Sequence, residues 1–244
     1  MIDLTNRVAL VTGGSRGIGR AISFALANAG AAVAVNYLNR SLEADEAVAE
    51  LHASGRTAIA IAADVSVAAA VKGMVGEVET KLGPVDVLIN NAGIASVRGL
   101  DDLTEADFDR AIAVNLKSAF LCIGAVLPGM RARGWGRIVN MSSIAARAGG
   151  AVGVHYNASK AGLEGLTRAY AARLAAAGVT VNAVAPALID TEMAEPLKQA
   201  GYAARIPVGR FGAAEEVAAA TLMLVDNAFI TGQTISINGG MLFT

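Results

Sequence analysis

The chain has 244 residues, 54% of them hydrophobic and 17% charged, with a formal net charge of −1. This length builds one sizeable core, and near-neutrality without any Lys/Arg-rich run excludes the electrostatic footprint of a nucleic-acid binder. The single cysteine, Cys122, excludes an intramolecular disulfide, and with only His52 and His155 in the chain no Cys/His cluster is expected to hold a metal.

In chain order, short β-branched runs alternate with longer helical patterns. Candidate strands are 7–11, 32–36, 57–62, 85–90, 137–141, 179–184 and 234–237. The first apolar run, 8–11, is too short for a signal h-region and leads straight into a glycine turn, so a first strand and a cytoplasmic protein are expected. Gly and charged residues interrupt every apolar stretch short of the ~18 residues that span a bilayer, so no membrane partner is expected. The spaces between strands suit right-handed crossover helices. The pattern predicts one α/β domain over 1–244, doubly wound and Rossmann-like, with a seven-stranded parallel sheet covered by helices on both faces.

Ile112, Leu116, Phe120, Ile123, Leu127 and Met130 trace one apolar stripe down a long helix, whose last turn Pro128 is expected to kink. A second long helix follows Val154, with Leu163, Leu166, Tyr170 and Leu174 on its apolar face.

After the first strand comes Thr12-Gly13-Gly14-Ser15-Arg16-Gly17-Ile18-Gly19, leading into a helical pattern. Glycines in this context let the backbone approach a pyrophosphate, whose charge the free N–H groups and dipole of the helix N-terminus favour. Dinucleotide binding is predicted here, through Gly13, Ser15, Arg16, Gly17, Ile18 and Gly19. The same residues also read as the G-x-S-x-G elbow of serine hydrolases, centred on Ser15. A hydrolase needs a later acid and then a His, and an elbow on the first strand is out of place.

NAD-binding sheets usually carry an acidic residue at the end of the second strand for the ribose hydroxyls. Here Asn36 and Tyr37 stand there, and Arg16 and Arg40 are close enough in sequence to reach a 2′-phosphate. NADP(H) is therefore favoured over NAD(H).

Tyr156 and Lys160, four residues apart on a helix, share one face. A phenol of pKa ~10 is a poor proton shuttle at neutral pH unless a cation stabilises its phenolate. At ~4 Å and an effective dielectric of ~20 a lysine supplies ~4 kcal/mol, enough to draw the phenol well down.

The turn Thr12 to Gly19, Asp64-Val65, Asn90-Asn91-Ala92-Gly93, Ser142-Ser143 and Tyr156-x-x-x-Lys160, in this order, resemble the motifs of the short-chain dehydrogenase/reductase family along nearly the whole chain. The resemblance implies hydride transfer between a nicotinamide and a carbonyl or secondary alcohol, with Tyr156 transferring the proton and Lys160 activating it. It implies that Ser143 hydrogen-bonds the substrate oxygen and that Asn115 holds a water linked to the lysine. Asp64 would meet the adenine amine and Val65 its ring, while Asn91, Ala92 and Gly93 line the cofactor cleft and Asn90 braces it. Pro186, Ile189 and Thr191 would sit by the nicotinamide, although Ala187 stands where the family usually has Gly.

A short substrate lid is expected over about 188–208, and the pocket is expected to be shaped by that lid with 94–100 and 144–154. Segments 207–210, 230–233 and 238–241 look like those of 3-oxoacyl-[acyl-carrier-protein] reductases, so a carrier-bound carbonyl substrate is the first expectation, with Arg131, Arg133 and Arg173 as candidate carrier contacts. Another small ketone, sugar, steroid or secondary alcohol is the alternative, and a non-catalytic dinucleotide-binding regulator the third. The resemblance also implies a homo-oligomer, a tetramer or dimer. His155 is expected at the pocket rim or surface, Cys122 in the core, and Glu215-Glu216 in a first helical turn.

Overall fold

The computed structural model describes residues 2–150 and 152–243. Strands β1 (Val8–Val11), β2 (Ala32–Tyr37), β3 (Ala58–Ala62), β4 (Val87–Asn90), β5 (Gly136–Met141), β6 (Val179–Pro186) and β7 (Thr234–Ile237) each fall within two residues of their expected bounds. They form one sheet in the order β3-β2-β1-β4-β5-β6-β7, every pair parallel. Strands β1, β4, β5 and β6 are buried throughout, which is why they read as near-continuous apolar runs rather than alternating ones.

Alternate residues of each strand feed two cores. On one face Ala9 and Val11 pack with Ile22 and Leu26 of α1 (Gly17–Asn28), Leu51 of α2 (Ser41–Ala53) and Val217 and Leu224 of α9 (Ala214–Asp226). On the other, Val8 and Leu10 pack with Val71 and Val78 of α3 (Ala68–Lys81), Ile123 and Met130 of α5 (Ser118–Arg133) and Leu174 of α7 (Val154–Leu174). Strand order reverses between β1 and β4. Chain crossing to opposite faces there opens a crevice at the carboxyl ends of the strands, where ligands of such sheets bind.

Helix α4 (Glu105–Ile112) runs through a π-helical turn, Ala113–Lys117, into α5 without a break. By length and composition this 29-residue helix is apolar enough to cross a membrane, contrary to the expectation that every such run is interrupted. Its buried face is core of this fold. That face is also rotated from the expected stripe: Val114, Asn115, Ser118, Ala119, Cys122, Ile123, Val126 and Met130 are buried, whereas Phe120 is 53% exposed. Small residues face inward because α5 lies close against the sheet. The helix continues through Pro128 and ends at Gly134, whose φ of 63° gives a left-handed cap.

Beyond β6 the expected lid is a chain of short pieces: a 3₁₀ turn at Glu192–Ala194, α8 (Glu195–Gln199) and a second 3₁₀ turn at Tyr202–Arg205. Four-residue α6 (Ala145–Ala148) lies between β5 and α7. Ala151, within the segment expected to shape the pocket, lies outside the described residues.

Candidate active site

The glycine turn is held from two sides. Asn36, buried at the end of β2, accepts a hydrogen bond from Gly13 N at 3.3 Å, and its side-chain amide donates to the carbonyls of Tyr37, Ile61 and Ala63. Its side chain is thus committed to shaping the turn. Tyr37, partly exposed, accepts from Ala63 N through its own carbonyl. From β4, Asn91 donates to the carbonyls of Thr12 and Gly13, both at 3.0 Å, while Thr12 Oγ1 accepts from Asn91 N and Ala92 N. Asn90 instead donates to Asn140 at 2.8 Å, the brace expected of it.

These contacts leave no room for side chains. A Cβ on Gly19 would lie 2.2 Å from Gly13 O, and Gly13 and Gly17 have φ of 60° and 51°. Backbone N–H groups at the start of α1 are thereby bared to an incoming anion, so the cradle fits a dinucleotide pyrophosphate. Ser15 is buried and Ile18 half-buried within the turn. The hydrolase reading of Ser15 finds no support, since His52 and His155 are tied to the carbonyls of Ala58 and Ser96.

Arg16, at the N-cap of α1, and Arg40, at the N-cap of α2, are not free. Both pair with Glu192 of the lid, Arg40 at 3.3 Å, and Arg40 also pairs with Glu43 at 2.8 Å. Asp64 follows β3 and is held by Ser66 at 2.6 Å, with Arg110 at 3.8 Å. The Ser66 hydroxyl keeps its carboxyl below the usual carboxylate range. Val65 is buried beside it.

Ser143, Tyr156, Lys160 and Asn115 converge at the carboxyl ends of β4 and β5. Lys160 is buried in the second turn of α7 and donates to Met141 O at 2.7 Å. Burial pushes its ammonium down to about 8. Tyr156 stands partly exposed at the cleft, with the Lys160 nitrogen 5.7 Å from its ring centroid. Burial raises the phenol above its usual value, and the nearby Ser143 hydroxyl opposes the rise. The expected downward pull of Lys160 does not contribute to this shift, and desolvation favours the neutral phenol. At neutral pH the site holds a phenol able to give a proton, beside a cation.

Asn115 sits in the π-helical turn, a distortion often found at functional sites. Its side chain accepts from Ile94 N at 2.8 Å and donates to Ile94 O at 3.0 Å and to Ser159 Oγ at 3.1 Å. Ser159 in turn donates to Tyr156 O at 2.7 Å. A Cβ on Gly93 would meet Asn115 Oδ1 at 3.3 Å and Lys160 Nζ at 3.5 Å, so glycine lets the loop after β4 close onto both.

Pro186 ends β6, Ile189 is buried in a bridge to Gly212, and the Thr191 side chain lies over the mouth of the turn, 3.3 Å from where a Cβ on Gly17 would be. Ala187 costs no backbone strain: among the described residues only Asn6 is a non-glycine with positive φ, and Ala187 N donates to Ile237 O at 2.9 Å.

Other residues depart from expectation. His155 is buried, its Nε2 3.0 Å from Ser96 O, which ties α7 to the loop after β4. Arg133 bonds Val85 O and Asp86 at the amino end of β4, and Arg131 and Arg173 also lie near the far ends of α5 and α7. These arginines lie at the opposite end of the sheet from Tyr156. Sequence patterns gave no sign of buried Glu164, which accepts from Ser142 at 3.3 Å and Arg147 at 3.0 Å and so fastens α6 to α7. Cys122 lies in the core as expected, fully buried with its thiol pushed up to about 12, and Glu216, in the first turn of α9 as expected, is gripped by Arg210 and held at about 2. Among the described residues no His/Cys/Asp/Glu group could hold a metal.

Residues 7–201 match the sequence profile of the short chain dehydrogenases. A 3-oxoacyl-[acyl-carrier-protein] reductase of Synechocystis sp. is 44% identical, covering 99% of both chains. The 3-oxoacyl-[acyl-carrier-protein] reductase FabG of Staphylococcus aureus is 42% identical over 96% of this chain and 97% of its own. The crystal structure of a proposed gluconate dehydrogenase from Agrobacterium tumefaciens superposes with a TM-score of 0.93 at 35% identity, covering 99% of this chain and 98% of the other.

Proposed function

Since the chain belongs to the short-chain dehydrogenase/reductase family, and is thus an oxidoreductase using a nicotinamide dinucleotide, we propose that it is an NADPH-dependent reductase of 3-oxoacyl thioesters on a carrier protein. The observation that carries the chemistry is the convergence of Ser143, Tyr156 and Lys160 beside the glycine cradle. The substrate class rests on the names of the two reductases above and their near-complete overlap with this chain.

When bound, the reduced nicotinamide supplies the hydride. Ser143 then donates a hydrogen bond to the carbonyl oxygen, where negative charge develops. Tyr156, held as a neutral phenol, gives that oxygen its proton. Lys160 offsets the phenolate left behind, and its bond to Met141 O fixes where the ammonium sits. Asn115 and Ser159 hold the loop after β4 and the first turn of α7 in register, so the catalytic groups keep their spacing. Gly13, Gly17, Gly19, Ile18, Ser15, Asn91, Ala92 and Gly93 form the cofactor cleft, with Asp64 and Val65 toward the adenine and Pro186, Ile189 and Thr191 toward the nicotinamide. Neither Asn36 nor Tyr37 supplies an acid at the end of β2, and Arg16 and Arg40 converge on Glu192 nearby, which supports NADP(H). A cytoplasmic homo-oligomer completes this reading.

A second reading is a dehydrogenase of a sugar acid or small ketone. It is favoured by the similarity to the Agrobacterium structure. Nicotinamide absorbance is followed with NADPH and NADH separately against a 3-oxoacyl thioester and a ketone panel, and with NADP+ and NAD+ separately against gluconate. The first reading requires oxidation of NADPH by the thioester; turnover confined to the other compounds selects the second.

A further inference from the structure

Arg16 and Arg40 come from different crossovers, one entering α1 and one entering α2, yet both reach a single carboxylate. That carboxylate is Glu192, at the start of the lid, whose two oxygens are divided between the two guanidinium groups. The neighbouring Thr191 side chain lies against Gly17. Two consecutive lid residues therefore cover the stretch from the glycine turn to Arg40. Glu43 belongs to the same cluster, but it pairs with Arg40 within the first turn of α2 and is not part of the lid.

We propose that Glu192 sets cofactor specificity by competing with the 2′-phosphate of NADP(H) for Arg16 and Arg40, so that the lid must give up this contact when a 2′-phosphorylated nucleotide binds. This rests on the NADP(H) reading above. The side chains of Arg16, Arg40 and Glu192 are 46%, 47% and 64% exposed, so the pairs add little to stability and exchange readily with another anion. A phosphate monoester carries more charge than a carboxylate at pH 7 and offers three acceptor oxygens, which suits two guanidinium groups better than Glu192 does. A 5′-phosphorylated adenosine without the 2′-phosphate has nothing to exchange for the lid contact. Discrimination between the two nucleotides is therefore smaller in the wild type than the two arginines alone would give.

The test is calorimetric titration of the full chain with 2′,5′-ADP and with 5′-ADP, in the wild type, Glu192→Gln and Glu195→Gln. Glu195 is also a lid carboxylate, but it pairs with Lys198 and not with either arginine. Glu192→Gln should tighten 2′,5′-ADP about three- to tenfold, the combined size of two exposed ion pairs, and change 5′-ADP less than twofold. Glu195→Gln should change neither, and the gain should shrink at ~1 M salt. Unchanged 2′,5′-ADP affinity in Glu192→Gln, or equal tightening of both nucleotides, overturns the proposal. If the wild type prefers 2′,5′-ADP and Glu192→Gln gains nothing, the NADP(H) reading stands and the competition is rejected. If neither protein prefers 2′,5′-ADP, both fall.

Discussion

Asn115 grips Ile94 by both its main-chain groups, accepting from the N–H at 2.8 Å and donating to the C=O at 3.0 Å. The π-helical turn that carries Asn115 is thereby joined to the loop after β4, where Gly93 packs against Lys160. Replacing Asn115 by Ala leaves two backbone groups of Ile94 and Ser159 Oγ short of partners. The expected cost is about 1–3 kcal/mol of stability, measured by urea denaturation, together with a fall in kcat larger than the change in KM. Wild-type stability and turnover in Asn115→Ala would remove its positioning role.

Gly19 and Gly73 give opposite outcomes from the same substitution. A methyl on Gly19 would strike Gly13 O at 2.2 Å, whereas nothing lies within 4 Å of one on Gly73 in α3. Gly19→Ala should abolish detectable binding of adenine dinucleotides by distorting the cradle. Gly73→Ala should leave binding intact and stabilise the fold by about 0.5–1 kcal/mol, because alanine is the better helix former. Binding titrations and thermal melts on the two variants check both.

Lys160 makes stability depend on pH in a direction that can be worked out. Burial lowers its folded-state value from 10.5 to about 8. Between these pH values the unfolded chain binds the proton and the folded chain does not, so stability rises with pH through this window and is lost again as pH falls through about 8. Lys160→Met removes the titration while filling the space. The stability of the wild type minus that of the variant should climb by roughly 2 kcal/mol from pH 8 to 10 in urea melts. A flat difference would show that the ammonium is not desolvated.

The strands were legible because both faces of the central sheet are buried, so each β-branched run is bounded by polar or glycine turns with no alternation to misread. The spacing of Tyr156 and Lys160 shows that they share a helix face, but their roles and that of Ser143 are legible only through the resemblance to the family's motifs. The inward face of α5 was not, since it is set by how closely the helix approaches the sheet: Ser118, Ala119 and Cys122 go in while Phe120 stays out. The burial of His155 depends on Ser96, 59 residues away, and the pairing of Arg16 with Glu192 spans 176 residues. Neither leaves a local pattern. Asn36 stands at the strand end where an acidic ribose contact is usual, and its part in holding the glycine turn, 23 residues away, leaves no local pattern.

Proton transfer by Tyr156 is tested most directly by Tyr156→Phe, which keeps the ring and removes only the hydroxyl. NADPH oxidation by a 3-oxoacyl thioester is followed in wild type and variant, with nucleotide binding titrated in parallel. Tyr156→Phe should lose turnover by at least ~10²-fold with nucleotide affinity and melting temperature nearly unchanged. Turnover in Tyr156→Phe within a few-fold of wild type would contradict proton transfer by Tyr156.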